Sequence, residues 1–61
     1  MTKKQIEDIY LGKEVHVVIN DGIDFFSGVG VVERVDDIGQ LHGTWGGLGV
    51  MPGEDQITII K

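Results

Sequence analysis

Apolar and polar residues alternate from Lys13 to Ile19, with Val15, Val17 and Ile19 on one face and Glu14, His16 and Val18 on the other. A period of two predicts a half-buried strand. A second β-branched run, Val29 to Val35, follows the turn signal Asn20-Asp21-Gly22 and a stretch to Ser27-Gly28 that reads as an irregular loop carrying Phe25 and Phe26. Gly28 and Gly30 mark a bulge or sharp bend in that second strand. Asp36-Asp37-Ile38-Gly39 predicts a tight hairpin with Gly39 at positive φ, leading into a third strand from Gln40 to Trp45. There Leu41, Gly43 and Trp45 share one face and His42 and Thr44 the other. Gly46-Gly47 permits a turn into a fourth strand, Leu48 to Met51. Pro52-Gly53-Glu54-Asp55 makes the last corner as a single 3₁₀ turn, and Gln56 to Ile60 is the fifth strand.

The first residues follow a different period. Ile6, Ile9 and Tyr10 stand at helical spacing, Thr2 and Gln5 have capping-box form, and Gly12 sits where a left-handed residue ends a helix. A helix over residues 3–10 is too short to persist alone, so its Ile-Ile-Tyr face is expected to cover an open end of the sheet. Residues 1–12 then form a helical segment packed on a β domain spanning residues 13–61. Five short strands with turns at this spacing describe a small twisted barrel, because a sheet this small removes its exposed edges by curling on itself.

Length narrows the energetics. At 61 residues, one domain buries only about 60% of the surface its unfolded chain exposes, so stability is thin. The chain has no cysteine, which leaves packing, with or without a second subunit, to hold it together. The opening Met-Thr-Lys-Lys-Gln-Ile-Glu-Asp lacks the apolar run of a secretory signal, and no segment has the length to span a bilayer. The expected location is the cytoplasm, away from membranes.

Ten acidic residues against five basic ones give a net charge of -5, with the cations scattered at Lys3, Lys4, Lys13, Arg34 and Lys61. Gripping a phosphate backbone takes clustered Lys and Arg. Direct nucleic-acid binding is therefore disfavoured.

Taken together, Val35-Asp36-Asp37-x-Gly39-x-Leu41-His42-x-x-Trp45 followed by Leu48-Gly49-x-x-Pro52-Gly53-Glu54-Asp55 resembles the bacterial and phage family catalogued as domain of unknown function 4314. The whole arrangement is also similar to SH3-like barrels. The resemblance covers the C-terminal half closely and Gly12 to Ile19 and Gly28 to Val32 more weakly. It implies a compact SH3-like domain and supplies no activity and no catalytic residues. Two departures fall in loops, where specificity tends to reside: only Gly46-Gly47 separates Trp45 from Leu48, and Asp24-Phe25-Phe26-Ser27 stands where the family usually carries prolines.

Each candidate for chemistry has a plainer reading beside it. His16 and His42 would need Asp36 or Glu14 to make a metal site, and two imidazoles without regular ligand spacing are better read as solvent-facing strand residues. The acidic pairs Asp36-Asp37 and Glu54-Asp55 would suit a hard cation, yet Asp bonding its own backbone and Glu54-Asp55 capping a turn explain them more simply. Ser27 has no base beside it in sequence, and Gly46-Gly47-Leu48-Gly49 has no following helix to cradle phosphate. The sequence assigns no enzyme activity, catalytic residue, metal or cofactor.

Aromatic residues dominate protein contacts. Trp45, on the Leu41 face, is expected in the core. Alternation lets one of Phe25 and Phe26 point inward, unless a loop clamps both. The expected function is a non-enzymatic protein-interaction or accessory module whose site lies between the 20–28 loop, with Phe25 and Phe26, and the acidic turns bearing Asp36, Asp37, Glu54 and Asp55. The alternative is an acidic nucleic-acid mimic or a nucleic-acid-associated SH3-like domain, the latter through similarity of Gly30-Val31-Val32 to the Gly-x-Val signature of small translation and transcription factor domains. A homodimer is a further expectation, through Val18 and Val32 on or near outer faces.

Overall fold

Thr2 opens the helix by the capping box its sequence predicts: its side chain accepts from the Gln5 N–H while the Gln5 side chain accepts from the Thr2 N–H. The computed structural model describes residues 2–47 and 49–61, and of Asp21 its backbone. Helix α1 (Lys3–Tyr10) ends at Leu11, and Gly12 follows at φ 79°. Ile6 is buried and Tyr10 packs against the core. Ile9, expected on the same covering face, is instead 41% exposed, because eight residues of helix present only a narrow stripe to the sheet.

Among the described residues, four antiparallel strands follow: β1 (Glu14–Asp21), β2 (Asp24–Val35), β3 (Leu41–Gly43) and β4 (Gln56–Ile59). They form one open sheet in the order β3-β2-β1-β4. The twelve-residue β2 pairs with β1 through its first part and with β3 through its end, and the register shifts between Val32 and Arg34. The irregularity thus falls at Glu33 rather than at Gly28 or Gly30. Those glycines have another duty. A Cβ on Gly30 would lie 2.5 Å from the Trp45 nitrogen and 2.8 Å from Thr44, so a bare backbone there is what lets the 44–45 turn close over β2.

Among the described residues the sheet shows four strands and no closure, where five strands in a closed barrel are expected. In place of the fourth strand, Val50 makes a single bridge to Leu41, with N–H···O bonds of 2.7 and 3.0 Å in the two directions. Gly49 and Pro52 bracket it, and proline has no N–H to continue a ladder. Leu48, the expected start of that strand, lies outside the described residues. The third strand is also shorter than expected, since at Thr44 the chain turns to bond Val31 with both its backbone N–H and its side-chain oxygen.

The expected 20–28 loop is a regular hairpin. Asp21 pairs with Asp24, Asn20 with Phe25 and Ile19 with Phe26, around a two-residue turn of Gly22 and Ile23. Gly22, at φ 69°, takes the first central position, as in a type II′ turn. The polar cluster Asn20-Asp21-Gly22 marked the turn correctly but left the strands on either side looking shorter than they are.

The core comprises Ile6, Val15, Val17, Val32, Val35, Leu41, Trp45 and Val50, with Ile19, Phe26 and Ile57 packed against it. Val32 is 1% exposed, which removes it from any outer surface and from the self-association expected of it. No helix among the described residues is long and apolar enough to cross a membrane.

Candidate functional site

Alternation along the β1–β2 hairpin sorts the two adjacent phenylalanines. Phe26 turns inward, where its ring packs on Gly28 and Gly47; a Cβ at Gly47 would come within 2.7 Å of it. Phe25 turns outward and is 69% exposed. It heads a row along β2 that continues through Ser27, Val29 and Val31, facing Asn20, Val18, His16 and Glu14 of β1. Val29 is 53% exposed, and Ile23 at the hairpin tip is fully exposed. The outer face of β2 is therefore an apolar strip, interrupted by Ser27 and flanked by the polar Asn20, His16 and Glu14 of β1, that ends in an aromatic ring.

Across the middle of this strip, His16 Nε2 lies 2.9 Å from Ser27 Oγ. The two residues are diagonal neighbours in the ladder, since His16 pairs with Val29 and Val18 with Ser27. The sequence placed no base beside Ser27 because the register that joins them runs through the stretch read as a loop. The signal that would have found it is Gly22 as the first of two turn residues between alternating runs.

The acidic candidates do not join this strip as one surface. Asp36 follows the last residue of β2, at the end of the sheet far from Phe25. Its Oδ1 accepts from the N–H groups of Ile38 at 3.1 Å and Gln40 at 2.9 Å, and its Oδ2 lies 2.9 Å from His42 Nε2. An ionised carboxylate only accepts, so this imidazole nitrogen is the donor. The hydrogen bond from His42 holds the Asp36 carboxyl below its ordinary value, the Gln40 and Ile38 N–H groups act in the same sense, and partial burial opposes them. Asp37 is exposed and meets Lys3 Nζ at 3.4 Å, which ties the 36–39 turn to the helix.

Asp55 stands at the other end, because Gln56 pairs with Val18. Its Oδ2 accepts from the Met51 N–H at 2.9 Å, while the Met51 carbonyl accepts from the Glu54 and Asp55 N–H groups. Glu54 is exposed on that turn. Asp36 and Asp55 are thus turn-builders, and Asp37 and Glu54 carry the freer charge. Among the described residues, no three His, Asp or Glu side chains converge as metal ligands.

In comparisons with protein families, curated proteins and solved structures, none matches the chain.

Proposed function

We propose that this chain is a non-enzymatic protein-interaction module of SH3-like type, related to the domain of unknown function 4314 family and working in a bacterial or phage cytoplasm. The topology supports the SH3-like reading: one long strand is shared between two pairings, the first strand pairs with both the second and the last, and a hydrogen-bonded turn precedes the last. The observation that carries the function is the exposed Phe25 ring at the head of an apolar strip. A large aromatic on an ordered strand is already held in place, so a partner gains its burial at little ordering cost.

The Ser27–His16 pair fits this reading as a polar element within the strip. Ser27 is exposed, and acyl transfer needs preorganised oxyanion donors in a water-excluded site. The nucleic-acid mimic would draw on Asp37 and Glu54, which lie on turns at opposite ends of the sheet, so the aromatic strip is the better supported of the two.

The test is capture from a bacterial or phage-infected host lysate with wild-type and Phe25→Ala baits, followed by mass-spectrometric identification. The expected result is a partner retained in high salt by the wild type and lost from Phe25→Ala at unchanged melting temperature. Capture that survives the substitution, or that disappears with salt alone, would move the site to the charged turns.

A further inference from the structure

The two edges of the sheet are finished differently. At β3, Val50 bridges Leu41 and covers the backbone. At β4, the ladder to β1 leaves the other side open among the described residues. Which groups face out follows from the pairing: the Ile60 N–H bonds the Glu14 carbonyl, and the Val32 N–H bonds the Lys13 carbonyl on the opposite side of β1. Even-numbered residues of β4 therefore turn their backbone toward β1, and Ile57 and Ile59 turn theirs outward. Residues 56–60 hold no charge and no proline, the usual protections of a free edge. Ile59 and Ile60 are 42% and 47% exposed.

We infer that this edge pairs with the same edge of a second copy of the chain, antiparallel about a two-fold axis at Thr58. This register sets Ile57 opposite the second copy's Ile59 and makes both a hydrogen-bonded pair, as their outward backbone groups require. It keeps the inner faces of both sheets on one side and places Thr58 opposite its counterpart. The flanking charges select a second copy over another strand: antiparallel pairing brings the acidic end of each strand, at Asp55, toward the basic end of the other, at Lys61, both just beyond the ladder. In a chain of net charge -5, this is a segment where two copies meet with opposite signs at both ends.

Sedimentation over a dilution series reads the association, and amide exchange locates it. The wild type should move from 6.7 kDa toward twice that mass as concentration rises, with the Ile57 and Ile59 amides exchanging more slowly in step. Thr58→Lys should stay monomeric at every concentration, with unchanged circular dichroism. Lys61→Glu, which opposes like charges at both ends, should raise the midpoint concentration about tenfold. A wild type that stays monomeric throughout overturns the inference, including one whose edge captures only a different protein. So does a Thr58→Lys variant that associates like the wild type, or a doubling of mass that leaves Ile57 and Ile59 exchange unaltered. If Thr58→Lys does not fold, the wild-type exchange data decide by themselves.

Discussion

His42 and Asp36 are joined side chain to side chain at 2.9 Å across the start of β3, while the other Asp36 oxygen closes the turn between β2 and β3. One carboxylate thus holds both a turn and the strand that leaves it. Its folded pKa is lowered, and the unfolded value is about 3.9. The folded state therefore binds fewer protons in that range, and the stabilisation is complete above the unfolded value and lost as pH falls through the folded one. Asp36→Asn keeps an oxygen for the Ile38 and Gln40 N–H groups but loses the charge. Thermal melts should show it less stable than the wild type at about pH 5, with the gap closing as pH falls below about 4. A gap that widens in acid would refute the assignment.

After Gly43, where a Cβ would run into the Val31 carbonyl oxygen and the Trp45 ring, Gly30 should be the least replaceable of the strand glycines outside turns. A methyl there meets the backbone of Thr44 and Trp45, which cannot swing aside as a side-chain end would. Gly30→Ala should cost about 2–3 kcal/mol, a large share of the roughly 3–9 kcal/mol expected of a domain this size. Gly22→Ala meets open space and bears only the left-handed backbone penalty, about 1 kcal/mol. Urea unfolding should show both as lower midpoints at constant slope, with Gly30→Ala the larger shift.

The two phenylalanines should separate in the same measurement. Phe25→Ala removes an exposed ring and should change stability by less than about 0.5 kcal/mol. Phe26→Ala strips the cover from Gly28 and Gly47 and should cost about 1–2 kcal/mol, below the range for fully buried phenylalanine because the ring is half-buried. Equal losses would place both rings in the core.

The helix should depend on its cap and on one anchor. Thr2→Ala removes the acceptor for the Gln5 N–H and should cost about 1 kcal/mol. Ile6→Ala should cost about 2–3 kcal/mol and release the helix from the sheet. Exchange of the helical amides should then quicken while those of β1 and β2 stay protected.

Much of this was readable from the residues wherever a local rule and the tertiary fold agree. The Thr2–Gln5 box, Gly12 after the helix, the inward Val15 and Val17, the Asp36–Gly39 turn and the buried Trp45 each rest on a short-range pattern. The hairpin from Ile19 to Gly28 was missed because Asn20, Asp21, Gly22 and Asp24 look like loop chemistry, while the strands they interrupt are fixed by pairing. The outward Phe25 and the His16–Ser27 contact both descend from that pairing, so the candidate site was legible as residues but not as a surface. The fifth strand and the closure do not appear among the described residues, where Val50, though fully buried, forms one bridge.

The pairing of β1 with β4 has a kinetic consequence. It joins residues about forty positions apart, whereas β1–β2 and β2–β3 join near neighbours through short turns. Chain entropy makes the distant ladder the last to form. Nucleation then belongs to the two hairpins that share β2, and the final strand docks after the rate-limiting barrier, leaving side chains such as Ile57 as brakes on unfolding rather than accelerators of folding.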